Sequence, residues 1–117
     1  MEEFGLDKFL FFNKPKESST KESDSLYLGS YETEKNSYFL QFLPANSKTS
    51  KHFHKSFEEK YFIIVGRIKF FVDKKYFNLK TGDKIMVDKE SFHSLQTFNS
   101  PCLLVLRVPK NFNKKDK

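Results

Sequence analysis

The chain has three histidines, His52, His54 and His93. Two of them stand one residue apart in Lys51-His52-Phe53-His54-Lys55, and carboxylates follow at Glu58 and Glu59. Imidazole nitrogens and carboxylate oxygens are the donors that divalent transition metals take, converging within about 2.0–2.2 Å of one point. Side chains two apart on a strand share a face, so His52 and His54 offer two donors together while Phe53 points away. Glu59 and the distant His93 complete a set that leaves positions open for water or substrate. Such a set suits Fe(II), Mn(II), Ni(II) or Zn(II). The plainer alternatives are a His-x-His pair on the surface and a core histidine bonded to backbone at position 93. Tyr61 follows Glu59 on the same strand face, where its phenol would relay protons, bind a substrate oxygen, or simply pack in a core.

The elements that must hold these residues are strands. From Leu26 onward, short apolar runs are broken by turn residues every eight to twelve positions. The runs are 26–31, 38–43, 52–54, 60–65, 68–72, 76–79, 85–87, 92–98 and 102–108, rich in Phe, Tyr, Ile and Val. Pro44-Ala45-Asn46-Ser47, Asp73-Lys74-Lys75 and Thr81-Gly82-Asp83 supply turn chemistry between them. No segment after Leu26 keeps a 3.6-residue period for three turns. The pattern predicts an all-β barrel or sandwich over 26–110. It is preceded by a short apolar element (helix or edge strand) and polar linker in 1–25, and followed by a polar tail at 111–117. Both faces of 61–65 are apolar, which predicts one cover from the barrel interior and suggests a second protomer as the other.

Composition narrows the function classes. The 117 residues make one domain with a net charge of +6, and 19 of the 21 basic residues are lysine. The lysines are scattered through turns and the tail with no dense basic stripe, so the sequence predicts no nucleic-acid partner. One cysteine, Cys102, lies in an apolar run and is expected to be a buried thiol. The acidic start and the absence of any apolar run of bilayer length predict a cytoplasmic protein with no membrane partner.

The two histidine segments resemble the paired motifs of the cupin superfamily. His52-Phe53-His54, four residues, Glu59, six residues and Gly66 match its first motif except for the leading glycine, replaced by Asn46. Gly82 and His93 stand at the separation of the second motif, with Asp88 in place of its proline, Glu90 of its second glycine and Thr97 of its asparagine. The resemblance covers about residues 38–108. It implies a double-stranded β-helix, or jelly-roll barrel, with His52, His54, Glu59 and His93 as ligands of one divalent metal. Glu58 takes the place of Glu59 if the shorter motif spacing applies.

The resemblance also implies small-molecule chemistry: a metal-dependent enzyme acting on a small oxygenated metabolite as dioxygenase, isomerase or lyase. Some similar cupins, the dimethylsulfoniopropionate lyases among them, use a tyrosine near the metal as base, which makes Tyr61 the catalytic candidate. The alternatives are a cupin that binds or senses a ligand without turnover, and a sugar-nucleotide isomerase or epimerase of a polysaccharide pathway. The expected partners are a small-molecule ligand and a second copy in a homodimer.

Overall fold

The computed structural model describes residues 5–17, 25–49 and 58–110. Among these, nine strands follow a single 3-10 turn at Leu6–Lys8: β1 (Leu10–Glu17), β2 (Leu26–Glu32), β3 (Asn36–Leu43), β4 (Glu59–Val65), β5 (Arg67–Val72), β6 (Lys75–Lys80), β7 (Lys84–Val87), β8 (His93–Thr97) and β9 (Cys102–Pro109). They form a six-stranded sheet in the order β1-β2-β3-β9-β4-β7 and a three-stranded sheet in the order β6-β5-β8. The pairings are antiparallel. This is the all-β architecture that the run-and-turn pattern predicts, in the jelly-roll form that the cupin resemblance implies. The apolar run at 52–54 lies outside the described residues.

The turns have specific causes. Asp73 and Lys74, both at positive φ (45° and 72°), close the β5–β6 hairpin in the left-handed backbone that tight two-residue turns need. Asp83 accepts the Lys80 N–H at 2.9 Å and fixes the next turn, where Gly82 has φ 94°. Between β4 and β5 the chain leaves one sheet for the other at Gly66, whose φ is 110°. A Cβ there would stand 2.7 Å from the Pro101 carbonyl oxygen, so only glycine fits.

Alternation along each strand sorts the side chains into two apolar clusters. Between the sheets lie Leu43, Tyr61, Ile63, Leu104 and Leu106 from one side and Ile68, Phe70 and Leu95 from the other. On the far face of the six-stranded sheet, Tyr38, Leu40, Phe62 and Val105 pack with Phe9. The Phe9 ring meets Tyr31 edge-on at 4.8 Å, and Tyr31 stacks on Tyr38 at 4.7 Å. Phe62 is only 5% exposed within one chain. On the second face of β4, Phe62 is thus buried within one chain, in a cluster that includes Phe9 of the N-terminal segment, while Ile64 is only partly covered. Of the two forms expected for the N-terminal element, the edge strand is the one present, since β1 pairs with β2.

Candidate functional site

Glu59 opens β4 and His93 opens β8, so the two come from different sheets. Both point inward, at 5% and 1% exposure. Glu58, next to Glu59, is exposed. Strand parity thus selects Glu59 as the interior carboxylate. His93 Nε2 stands 2.9 Å from Glu59 Oε1. On the same oxygen the Tyr61 hydroxyl donates at 3.2 Å. The structure therefore brings together Glu59, Tyr61 and His93; His52 and His54 lie outside the described residues.

The proton arrangement around His93 is informative. Its Nδ1 lies 3.2 Å from the Ser91 carbonyl oxygen, which can only accept, so Nδ1 carries the proton of that bond. Nε2 then faces the Glu59 carboxylate. Two lone pairs do not stand at 2.9 Å without something positive between them, either a second ring proton or a cation. Donors sharing a first-row metal at about 2.0–2.2 Å lie about 3 Å apart when their bonds are near-perpendicular. The separation, the donor types and the outward-turned Nδ1 all fit a metal. Among the described residues no cluster of three or more such ligands occurs, and the expected donors His52 and His54 fall in the 50–57 segment, outside them. That segment leaves from Thr49, whose N–H bonds the Leu95 carbonyl at 2.9 Å on β8, and re-enters beside Glu59. The described residues on either side of it, Thr49 and Glu58, thus lie beside β8 and at the start of β4.

The walls are dry and aromatic. Phe70 lies nearly parallel to the His93 ring at 6.3 Å, and Tyr61 meets Phe70 at 4.8 Å. Burial pushes the Tyr61 phenol well above its usual pKa, and the Glu59 charge, Tyr27 and the Glu59 hydrogen bond act in the same direction. Tyr61 is thus held protonated, as a donor. Cys102 is buried as expected, and burial pushes its thiol up to about 11.

Gln41 has a position that its doubly apolar strand does not disclose from sequence. It points inward, 5% exposed, and its Nε2 donates to Ser25 Oγ at 3.1 Å. Tyr27, opposite Gln41 on β2, shares that face. Arg67 is exposed with its guanidinium 4.9 Å from the Phe98 ring, and Arg107 lies on the far face opposite Tyr38 and Lys60. Neither arginine enters the interior.

No family model matches the chain. An uncharacterized protein of Methanocaldococcus jannaschii is 32% identical over 76 residues, covering 65% of this chain and 61% of that relative, so the match leaves over a third of the relative unaccounted for. Among solved structures, the polyketide cyclase RemF from Streptomyces resistomycificus aligns with a TM-score of 0.76 at 12% identity, over 96% of this chain and 81% of that one. A cupin-2 domain protein from Rhodospirillum rubrum aligns with a TM-score of 0.74 at 13% identity, over 92% and 72%. The chain shares the jelly-roll fold of these structures. It contains no helix, among the described residues, long and apolar enough to cross a membrane.

The departures from the cupin motifs now have physical accounts. Asn46 and Glu90 stand where the motifs have glycine, and both take positive φ (56° and 69°). The backbone keeps the glycine conformation without the glycine. Asn tolerates it readily; Glu does so at a cost of about 1–2 kcal/mol. Thr97, at the asparagine position, donates to the Pro44 carbonyl at 2.7 Å and accepts the Ser47 N–H at 2.9 Å. Its hydroxyl ties the loop of 44–47 to β8.

Proposed function

We propose that the protein is a metal-binding cupin that acts as an enzyme on a small oxygenated metabolite. The observation that carries the reading is the Glu59–His93 contact, where a carboxylate and an imidazole with its other nitrogen turned to backbone face each other at 2.9 Å in an apolar barrel. Glu59 and His93 would hold the metal together with His52 and His54. The divalent ion, when bound, supplies a Lewis acid toward a substrate oxygen.

The remaining roles belong to the chain's own groups. Tyr61 fixes the Glu59 carboxylate through its hydrogen bond and keeps a proton on its phenol oxygen beside the ligand space. It fits a donor toward substrate oxygen better than a resting general base, because burial opposes its ionisation. Phe70 and the surrounding aliphatic residues exclude water and favour a compact, partly apolar substrate. The description of RemF as a polyketide cyclase supports enzymatic chemistry on this fold.

The test is metal analysis by mass spectrometry on untagged protein. The expected result is one equivalent of a transition metal, lost in both His54→Ala and His93→Ala. Full occupancy in either variant removes the proposed ligand set. A homodimer, expected from the two apolar faces of β4, is part of the proposal, and light scattering at micromolar concentration decides it.

A further inference from the structure

The outer face of the three-stranded sheet gathers charges that are far apart in sequence. Register places Arg67 directly opposite Lys80, Lys69 opposite Asn78 and Gln96, and Phe71 opposite Tyr76. Lys48 joins the same face through its bridge to Gln96. The alternate residues Ile68 and Phe70 are fully buried, which fixes this set as the outward one. None of its positions is acidic. The carboxylates that flank it are engaged in turns: Asp83 accepts the Lys80 N–H and Asp73 the Phe92 N–H.

Like charges directly opposite on neighbouring strands are destabilising. Arg67 and Lys80 are such a pair, and among the described residues neither makes an ion pair with a carboxylate. Instead the cations sit by rings. Lys69 Nζ lies 4.5 Å from the Tyr76 ring, and Arg67 stands over Phe98. Tyr76 is 61% exposed and packs against Phe71 at 4.9 Å. Unopposed cations interleaved with an exposed aromatic ring are the chemistry that holds a phosphate backbone and stacks its bases.

We propose that this face binds single-stranded nucleic acid, with Arg67, Lys69, Lys80 and Lys48 on phosphates and Tyr76 stacking a base. The site is separate from the interior Glu59–His93 pair. It reverses the expectation drawn from the linear sequence, where the same residues look scattered; strand pairing brings them together.

The test is fluorescence polarisation of the full chain with labelled dT12 and rU12 between 50 and 200 mM NaCl. The expected Kd is about 10 µM at the lowest salt, with log Kd changing by about 2–3 per tenfold change in salt, for three or four phosphate contacts at about 0.7 each. The triple variant Arg67→Glu/Lys69→Glu/Lys80→Glu abolishes binding, and Tyr76→Ala weakens it about fivefold or more. Should the triple variant fold poorly, Arg67→Ala/Lys80→Ala serves in its place with the same loss expected. The single change Lys80→Glu raises Tm, because a like-charge pair becomes an attractive one. Absence of binding at 100 µM protein, or binding undiminished in the charge variants, overturns the proposal. Binding of heparin or anionic vesicles that depends on the cations but not on Tyr76, with the oligonucleotides unbound, overturns the nucleic-acid assignment.

Discussion

The two faces of β4 use one strand for opposite purposes. Toward the barrel it presents Glu59, Tyr61 and Ile63, and toward the far side Phe62 and Ile64. The far face also carries Lys60, and its buried part lies in an apolar cluster that includes Phe9. The inner face places a carboxylate and a phenol beside the His93 imidazole of β8, where burial keeps water from satisfying them, so they must satisfy one another or a bound ion. The difference teaches that burial alone does not mark a site. Phe62 on one side and Tyr61 on the other are both buried, but the far-face Lys60 is only partly so, while Glu59 carries its charge fully inside.

Substitutions on the two faces separate these roles. The largest expected effect is from Phe62→Ala, which opens a cavity in the far cluster and lowers stability by about 3–5 kcal/mol. Chemical denaturation with and without EDTA checks this: the loss should be the same in both, and a loss confined to one condition would merge the two faces. Next is Tyr61→Phe, which removes a hydrogen bond to a charged group and costs about 1.5–3 kcal/mol. This variant is expected to keep the fold, by far-UV circular dichroism, while weakening metal retention in a chelator titration.

Alkaline pH comes third. Cys102 is raised from 9.0 to about 11 and Tyr61 also upward. The unfolded chain therefore releases these protons first, and stability present below pH 9 falls as pH rises toward 11. The thiol part is about 1 kcal/mol after allowance for screening. Urea titrations of the wild type and Cys102→Ala across pH 8–11 test it, with a shallower fall expected in the variant. The smallest effect is Glu90→Gly, which relieves left-handed strain outside both faces and should stabilise by about 0.5–1 kcal/mol. A lower Tm in that variant would mean that the Glu90 side chain contributes contacts beyond its backbone conformation.

Much of the fold was legible because turn residues and β-branched or aromatic runs alternate so regularly. The run 68–72, for example, became Arg67–Val72, and 85–87 became Lys84–Val87. Strand parity also told Glu59 from Glu58 once β4 was known to start there. Other features depended on pairing that no local pattern carries. Gln41 lies in a strand apolar on both sides, so alternation gave its side chain no direction. The Thr97 bonds to Pro44 and Ser47 join residues about fifty positions apart. Phe9, which joins the far-face cluster, comes from a stretch too short to show a period. The cationic face was hidden for the same reason, since Lys48, Arg67 and Lys80 become neighbours only through register.

The strand made last among the nine, β9, lies in the middle of the larger sheet, bonded to β3 on one side and β4 on the other. During synthesis, then, the two halves of that sheet have no common neighbour until residues 102–109 have left the ribosome. Until that moment β3 and β4 each present an unpaired edge on the side that β9 will fill. Closure must come as a late, all-at-once event, and a ribosome stalled before Cys102 would release a chain prone to aggregate.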